Sequence, residues 1–193
     1  LTIPMLTPTF VMVGIMTMTP VHMRAHHHDL AAVGVVIGAH IAGMYLPSLV
    51  TGVLVDRIGR AAMAVASGVT LLAAGMVAAI APDDSLGYLI LALVLLGLGW
   101  NFGLIAGTAL VVDATAADNR PRIQGVIDVL VALAGAGGGL LSGVVVYTAG
   151  YSALAMSGGL LALLLVPALL WRYRRPSPSE PPRTVSARDR PSS

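Results

Sequence analysis

Cysteine is absent from this sequence of 193 residues, which excludes disulfides, thiolate metal sites and cysteine nucleophiles. Lysine is absent too, so all 11 basic side chains are arginines. Charge of either sign is scarce: 10% of the residues are charged, against about 25% in a soluble domain. A soluble chain with so few charges could not cover its surface with polar groups. What is present instead is apolar: 56% hydrophobic residues and a mean hydropathy of +0.86. The natural solvent of such a chain is lipid. An isoelectric point near 9.4 invites a nucleic-acid reading. The arginines argue against it, because they sit at the ends of apolar runs and in the tail, where they orient membrane helices.

Six segments are apolar over the roughly 20 residues a membrane crossing needs. They run from Met5 to Met23, Leu30 to Val55, Ala61 to Ala81, Tyr88 to Val112, Gln124 to Thr148 and Tyr151 to Trp171. The fold class this implies is all-α, a polytopic bundle of six transmembrane helices over residues 1–172. Residues 173–193 are rich in Pro, Ser and Arg, cannot bury a core, and read as a disordered basic tail. The links are short, so neighbouring helices run antiparallel. With six spans both ends lie on one side. Arg57, Arg60, Arg120, Arg122, Arg172, Arg174, Arg175, Arg183, Arg188 and Arg190 then share that side, and only Arg24 lies opposite. The positive-inside rule makes the shared side cytoplasmic, in the cell membrane. The chain opens on Leu1 with no charged region before a cleavage site, so no signal peptide is read, and it is expected to be the end of a longer protein.

Glycines four apart occur at Gly34 and Gly38, at Gly99, Gly103 and Gly107, and at Gly135, Gly139 and Gly143. In lipid this spacing lets helix backbones approach and gain dispersion contacts. No strand–helix units surround them, so they do not form a nucleotide cradle, and no cofactor is expected. Pro20, Pro47 and Pro167 are expected to kink their helices. His40 lies about ten residues into the second helix, and imidazole at that depth needs partners or carries proton traffic. Trp100 and Asn101 lie at the centre of the fourth helix. Together with Met12, Met16, Thr17, His40 and Met44 they stand at similar depths and as a set are expected to line one substrate cavity, although any one of them taken singly reads first as packing. His26, His27 and His28 with Asp29 resemble a metal site only at first glance. Consecutive loop side chains seldom converge on one ion, so an external polar loop is read there and no metal is expected.

The stretch Gly52-Val-Leu-Val-Asp56-Arg57-Ile-Gly59-Arg60 resembles the signature loop of the major facilitator superfamily, G-x-x-x-D-R-x-G-R, at all its fixed positions. His40-Ile-Ala-Gly43-Met44, Gly97-Leu-Gly99-Trp100-Asn101-Phe-Gly103 and Arg122-Ile-Gln124-Gly125-Val-Ile-Asp128 extend the likeness to the C-terminal half of actinobacterial-type members, over most of residues 5–172. The resemblance implies a secondary transporter of small solutes. Its partner would be an N-terminal six-helix half, missing or supplied in trans. It further implies a cytoplasmic latch, expected to comprise Gly52, Asp56, Arg57, Gly59, Arg60, Asp113, Arg122 and Asp128. Asp128, about one turn inside its helix, is expected to pair with Arg122 or Arg60, because an unpaired charge in a membrane helix is costly. Apolar walls rich in methionine favour a lipophilic or amphipathic solute, with efflux as the preferred direction. A proton is the candidate coupling ion, and nucleic acid is not a partner.

Two other readings compete. A six-helix protein could homodimerise to rebuild a transporter. A membrane enzyme of the intramembrane serine protease type would draw on Ala66-Ser67-Gly68 or Ser157-Gly158. That chemistry needs a histidine on a later helix, whereas all five histidines lie between positions 22 and 40. The chain is therefore read as a transporter and not an enzyme.

Overall fold

The computed structural model describes residues 2–82 and 85–163. Seven α-helices follow in chain order: α1 (Ile3–Ala25), α2 (Leu30–Tyr45), α3 (Ser48–Ile58), α4 (Arg60–Ile80), α5 (Leu86–Asp113), α6 (Arg120–Ala149) and α7 (Tyr151–Leu163). One 3-10 turn, Ala117–Asn119, leads into α6, and no strand occurs among the described residues. Five stretches are long and apolar enough to cross a membrane, α2 and α3 counting as one. The described part of α7 is apolar but 13 residues long. The expected end of the sixth helix at Trp171 and the expected tail at 173–193 lie outside the described residues.

Local chemistry sets the breaks. The Asp29 side chain accepts the Ala32 amide at 2.7 Å and starts α2. The expected continuous helix from Leu30 to Val55 is two helices, because Pro47 has no N–H to give and its ring crowds the preceding turn. Between α3 and α4 stands a single residue, Gly59, at φ 94° and ψ 151°, a conformation open to glycine and little else. The stretch expected to be a loop is thus helical up to Ile58 and helical again from Arg60.

Helix α4 packs between α5 and α7, α1 packs against α5, α6 and α7, and α2 and α3 lie along α5. The core runs through the inner faces of α1, α4, α5 and α7, with Ile15, Leu71, Leu89, Leu93 and Leu96 fully enclosed. Half of the most apolar window of α5 is buried, against 22% for the span of α2 and α3 and 11% for that ending in α6. These last two spans therefore turn most of their surface outward.

The glycines divide accordingly. Gly75 of α4 meets the Ala155 carbonyl and the Gly159 backbone of α7, leaving no room for a side chain. Gly97 of α5 is equally tight against the backbone of α2 at His40 and Gly43. Gly99, Gly103 and Gly107 pack as the spacing implies, on Leu71, Pro8 and Met5. In α6 the close approach belongs to Gly138, against the Phe10 carbonyl, with Gly135 and Gly139 in ordinary contact with Val13. Gly34, Gly38 and Gly143, expected to pack, face open space.

Candidate functional site

The short helix α3 carries most of the motif. Asp56 and Arg57 lie on its last turn, and both are exposed. Arg60 opens α4 and turns toward the far end of α5. There its Nη2 donates to Asp113 Oδ1 at 3.1 Å, while its Nε lies 2.5 Å from Oδ2 as a charge contact without hydrogen-bond alignment. The two side chains keep 36% and 50% of their surface, which places the pair among exposed ion pairs worth about 0.2–1 kcal/mol. A tie this weak can open at little cost.

The other expected latch residues do not join it. Asp56, Arg57 and Arg122 make no side-chain hydrogen bond or ion pair with another described residue. Asp128, expected to pair with an arginine, instead accepts from Gln124 Nε2 at 2.9 Å, one turn back on α6. It faces outward, where an amide partner and solvent suffice. Arg120 is taken up by the Thr115 and Val112 carbonyls at the end of α5. Gly52 touches nothing within 4 Å of where a side chain would begin, so nothing in this bundle requires glycine there.

The residues expected to line a cavity are distributed differently. Met12, His40, Met44 and Asn101 are buried, Met16 and Trp100 are half-buried, and Thr17 is exposed. Asn101 is saturated with bonds. Its Nδ2 donates to the Met44 carbonyl at 2.8 Å and to Ser48 Oγ at 2.9 Å, and its Oδ1 accepts from Thr51 Oγ1 at 2.7 Å. The Trp100 indole donates to Thr9 on α1 at 3.1 Å and meets the Tyr45 ring edge-on at 6.1 Å. Thr17 pairs with Ser142 of α6 at 3.2 Å. His40 donates from Nδ1 to the Leu93 carbonyl at 2.8 Å, since a carbonyl can only accept. Its Nε2 is enclosed without a partner.

Two cavities among the described residues lie elsewhere. One of about 340 Å³ is bounded by Phe10, Gly14, Leu141, Ser142, Leu154 and Leu161, between α1, α6 and α7. A cleft of about 530 Å³ opens beside Val111, Arg122, Ile127 and Leu130, between the end of α5 and the start of α6. None of the seven expected residues lines either one. Met16, Thr17 and Trp100 are the three of the seven that are not buried.

At the opposite end of α1, His22 and His26 stand one helical turn apart with ring centroids 4.3 Å from each other. His22 stacks on Tyr151, the first residue of α7, and the Tyr151 hydroxyl pairs with Thr19 at 2.9 Å. Of these, the sequence reading places only His26 in a loop, and it singles out neither His22 nor Tyr151. It also passed over Ser48 and Thr51, whose signal is their spacing of three on a helix after a proline. Among the described residues no group of three or more histidines and carboxylates is arranged to hold a metal.

A set of long apolar helices joined by single-residue and short links, with polar ties between their interiors, defines a multi-pass helical membrane protein. Residues 5–193 match the profile of the Major Facilitator Superfamily. The chain belongs to that family. It is 63% identical over 171 residues to an uncharacterised MFS-type transporter of Bacillus subtilis (strain 168), YdeG, covering 89% of this chain and 40% of that one. A second from the same organism, YddS, is 61% identical over 89% of this chain and 39% of its own. A riboflavin transporter of Brucella anthropi, RfnT, is 32% identical over 82% of this chain and 40% of its own length. The chain thus spans about 40% of the length of the relatives it matches. Each of these relatives is named as a transporter.

Proposed function

We propose that this chain is one six-helix half of a secondary transporter in the cell membrane, with both of its ends in the cytoplasm. It works with an N-terminal six-helix half, and solute binds between the two and is exposed alternately to each side. The observation that carries this reading is the Arg60–Asp113 pair, a weak and breakable tie between the signature stretch and the end of α5. As a latch it holds one state and opens in the other, with Gly59 as its bend; Asp56, Arg57 and Arg122, and Asp128 beyond its bond to Gln124, are exposed to meet the other half. Gly52, open in this bundle, suits the same contact. The solute is small and lipophilic or amphipathic, and meets the face formed by Met16, Thr17 and Trp100, backed by Met12, His40, Met44 and Asn101. Relatives named for riboflavin and for 4-hydroxybenzoate support an aromatic solute. Export coupled to a proton gradient is the preferred direction.

The test is solute counterflow in proteoliposomes holding the chain together with its N-terminal half, with labelled riboflavin and 4-hydroxybenzoate as probes. Arg60→Gln and Asp113→Asn should each slow exchange several-fold, and the swap Arg60→Asp with Asp113→Arg should recover part of it. Exchange at the parent rate in both single variants would remove the latch from the mechanism. A proton ionophore should abolish accumulation against a gradient while sparing exchange.

A further inference from the structure

We infer that α3 turns as a rigid lever about the break at Leu46–Pro47, and that Asn101 is the positioning residue that holds its inner end. The inference rests on reading Arg60–Asp113 as a latch.

The break is built as a pivot. Pro47 contributes no amide hydrogen, so the backbone ladder is interrupted between Tyr45 and Ser48. Asn101 reaches across from α5 and bonds both sides of the interruption: the Met44 carbonyl before it, and Ser48 Oγ and Thr51 Oγ1 after it. The single Thr51 proton is shared between Asn101 Oδ1 at 2.7 Å and the Pro47 carbonyl at 3.0 Å. Asn101 is 2% exposed, so neither water nor lipid competes for these bonds. Broken helices at membrane depth persist only where neighbours re-satisfy freed groups, and Asn101 does so here for the Met44 carbonyl.

The rest of α3 is lightly held. Of its 11 residues only Thr51 and Val55 are buried, while Leu49, Val50, Val53 and Ile58 are more than half exposed. Its outer end is fixed by the one-residue bend at Gly59 and by Arg60 on Asp113. At a rise of 1.5 Å per residue, α3 is about 16 Å long and the stretch of α5 from Asn101 to Asp113 about 18 Å. The inner tie therefore holds one end of this short rod to α5, and the outer tie holds to the same helix the residue just past the bend, Arg60 at the start of α4. A rotation of about 15° around the inner tie carries the outer end, and with it the Gly59–Arg60 junction at the start of α4, roughly 4 Å, enough to part the ion pair while the Asn101 bonds barely lengthen. Motion of the signature stretch then needs no movement of α2.

Nitroxides on Ile58→Cys and Ala116→Cys report the outer end of α3 against the end of α5. Both positions are exposed, and this chain has no cysteine of its own. Electron–electron distances are measured on the full-length protein in nanodiscs. The parent should give one narrow distance. Arg60→Gln should add a population about 4 Å longer, and no change would overturn the latch itself. Adding Pro47→Ala to Arg60→Gln restores the missing amide and should remove most of the longer population. If the population persists undiminished, the lever is wrong while the latch stands. Thr51→Val, which keeps the shape and loses the hydroxyl, should broaden the distance at least twofold even with Arg60 in place. Asn101→Leu should do the same where it folds. A distribution as narrow as the parent's in Thr51→Val would deny Asn101 its positioning role.

Discussion

The contact between α4 and α7 offers a test of sign as well as size. A methyl group added at Gly75 would overlap the Ala155 carbonyl and stand 3.0 Å from Gly159 Cα and 3.1 Å from its amide nitrogen. These are backbone atoms in two helices, so no side chain can swing aside, and the helices must separate by roughly 0.5–1 Å. A gap on that order forfeits a quarter to a half of the dispersion attraction between the facing atoms. Gly75→Ala should therefore cost about 1–3 kcal/mol, the usual range for overpacking. Gly38→Ala is the control. It is also helical, and nothing lies within 4 Å of where its methyl would go. There the lost flexibility of glycine dominates, and the substitution should be neutral or stabilise by up to about 1 kcal/mol. Thermal unfolding of the purified protein in detergent, followed by circular dichroism with both variants in parallel, measures the difference. The reasoning fails if Gly75→Ala melts with the parent, or if Gly38→Ala is as damaging as Gly75→Ala.

Three further outcomes follow from the geometry. Gly59→Ala should cost about 1–3 kcal/mol, because φ 94° with ψ 151° is a glycine conformation, and the loss should show in thermal unfolding. Ser67→Ala removes a fully buried hydroxyl that donates to the Gly99 carbonyl at 2.6 Å. Interhelical bonds in membranes average about 0.6 kcal/mol and reach about 1.7, so a small but measurable drop in melting temperature is expected, with transport unchanged. Tyr151→Phe keeps the ring stacked on His22 and loses only the bond to Thr19, and should weaken the α1–α7 junction by a similar amount, seen as faster amide exchange at the start of α7.

The spans were legible because apolar run length is a direct consequence of bilayer thickness, and a soluble fold fails on charge content alone. The break at Pro47 was visible as a kink but not as two helices, since a proline's effect depends on whether a neighbour can take up the freed carbonyl. That neighbour, Asn101, is 54 positions away in sequence. Reading Asn101 as polar lining was reasonable at its depth, because sequence places a residue along the membrane normal but not around the helix axis. The same limit explains the glycines: Gly34 and Gly38 have the spacing of a packing face but lie on the outward side of α2, whereas Gly75 and Gly97 make the tight contacts singly. For Arg60 and Asp113, equal depth and opposite charge were enough. For Asp128 they were not, because a neighbour one turn away on the same helix outcompetes partners that must be reached across a gap.

The two ties at either end of α3, the inner one made by its own residues and the outer one just past Gly59 at the start of α4, differ in what they can sense. The inner one is made of an amide, two hydroxyls and a carbonyl, none of which changes charge in water's working range, and it is sealed from ions. The outer one is a pair of full charges with about half the carboxylate surface open, within reach of screening over a Debye length of about 8 Å at physiological ionic strength. One end of this short helix is thus indifferent to the medium and the other reports on it. Changes in salt on that side would weaken the outer tie alone, without loosening the fold that the inner one helps to hold.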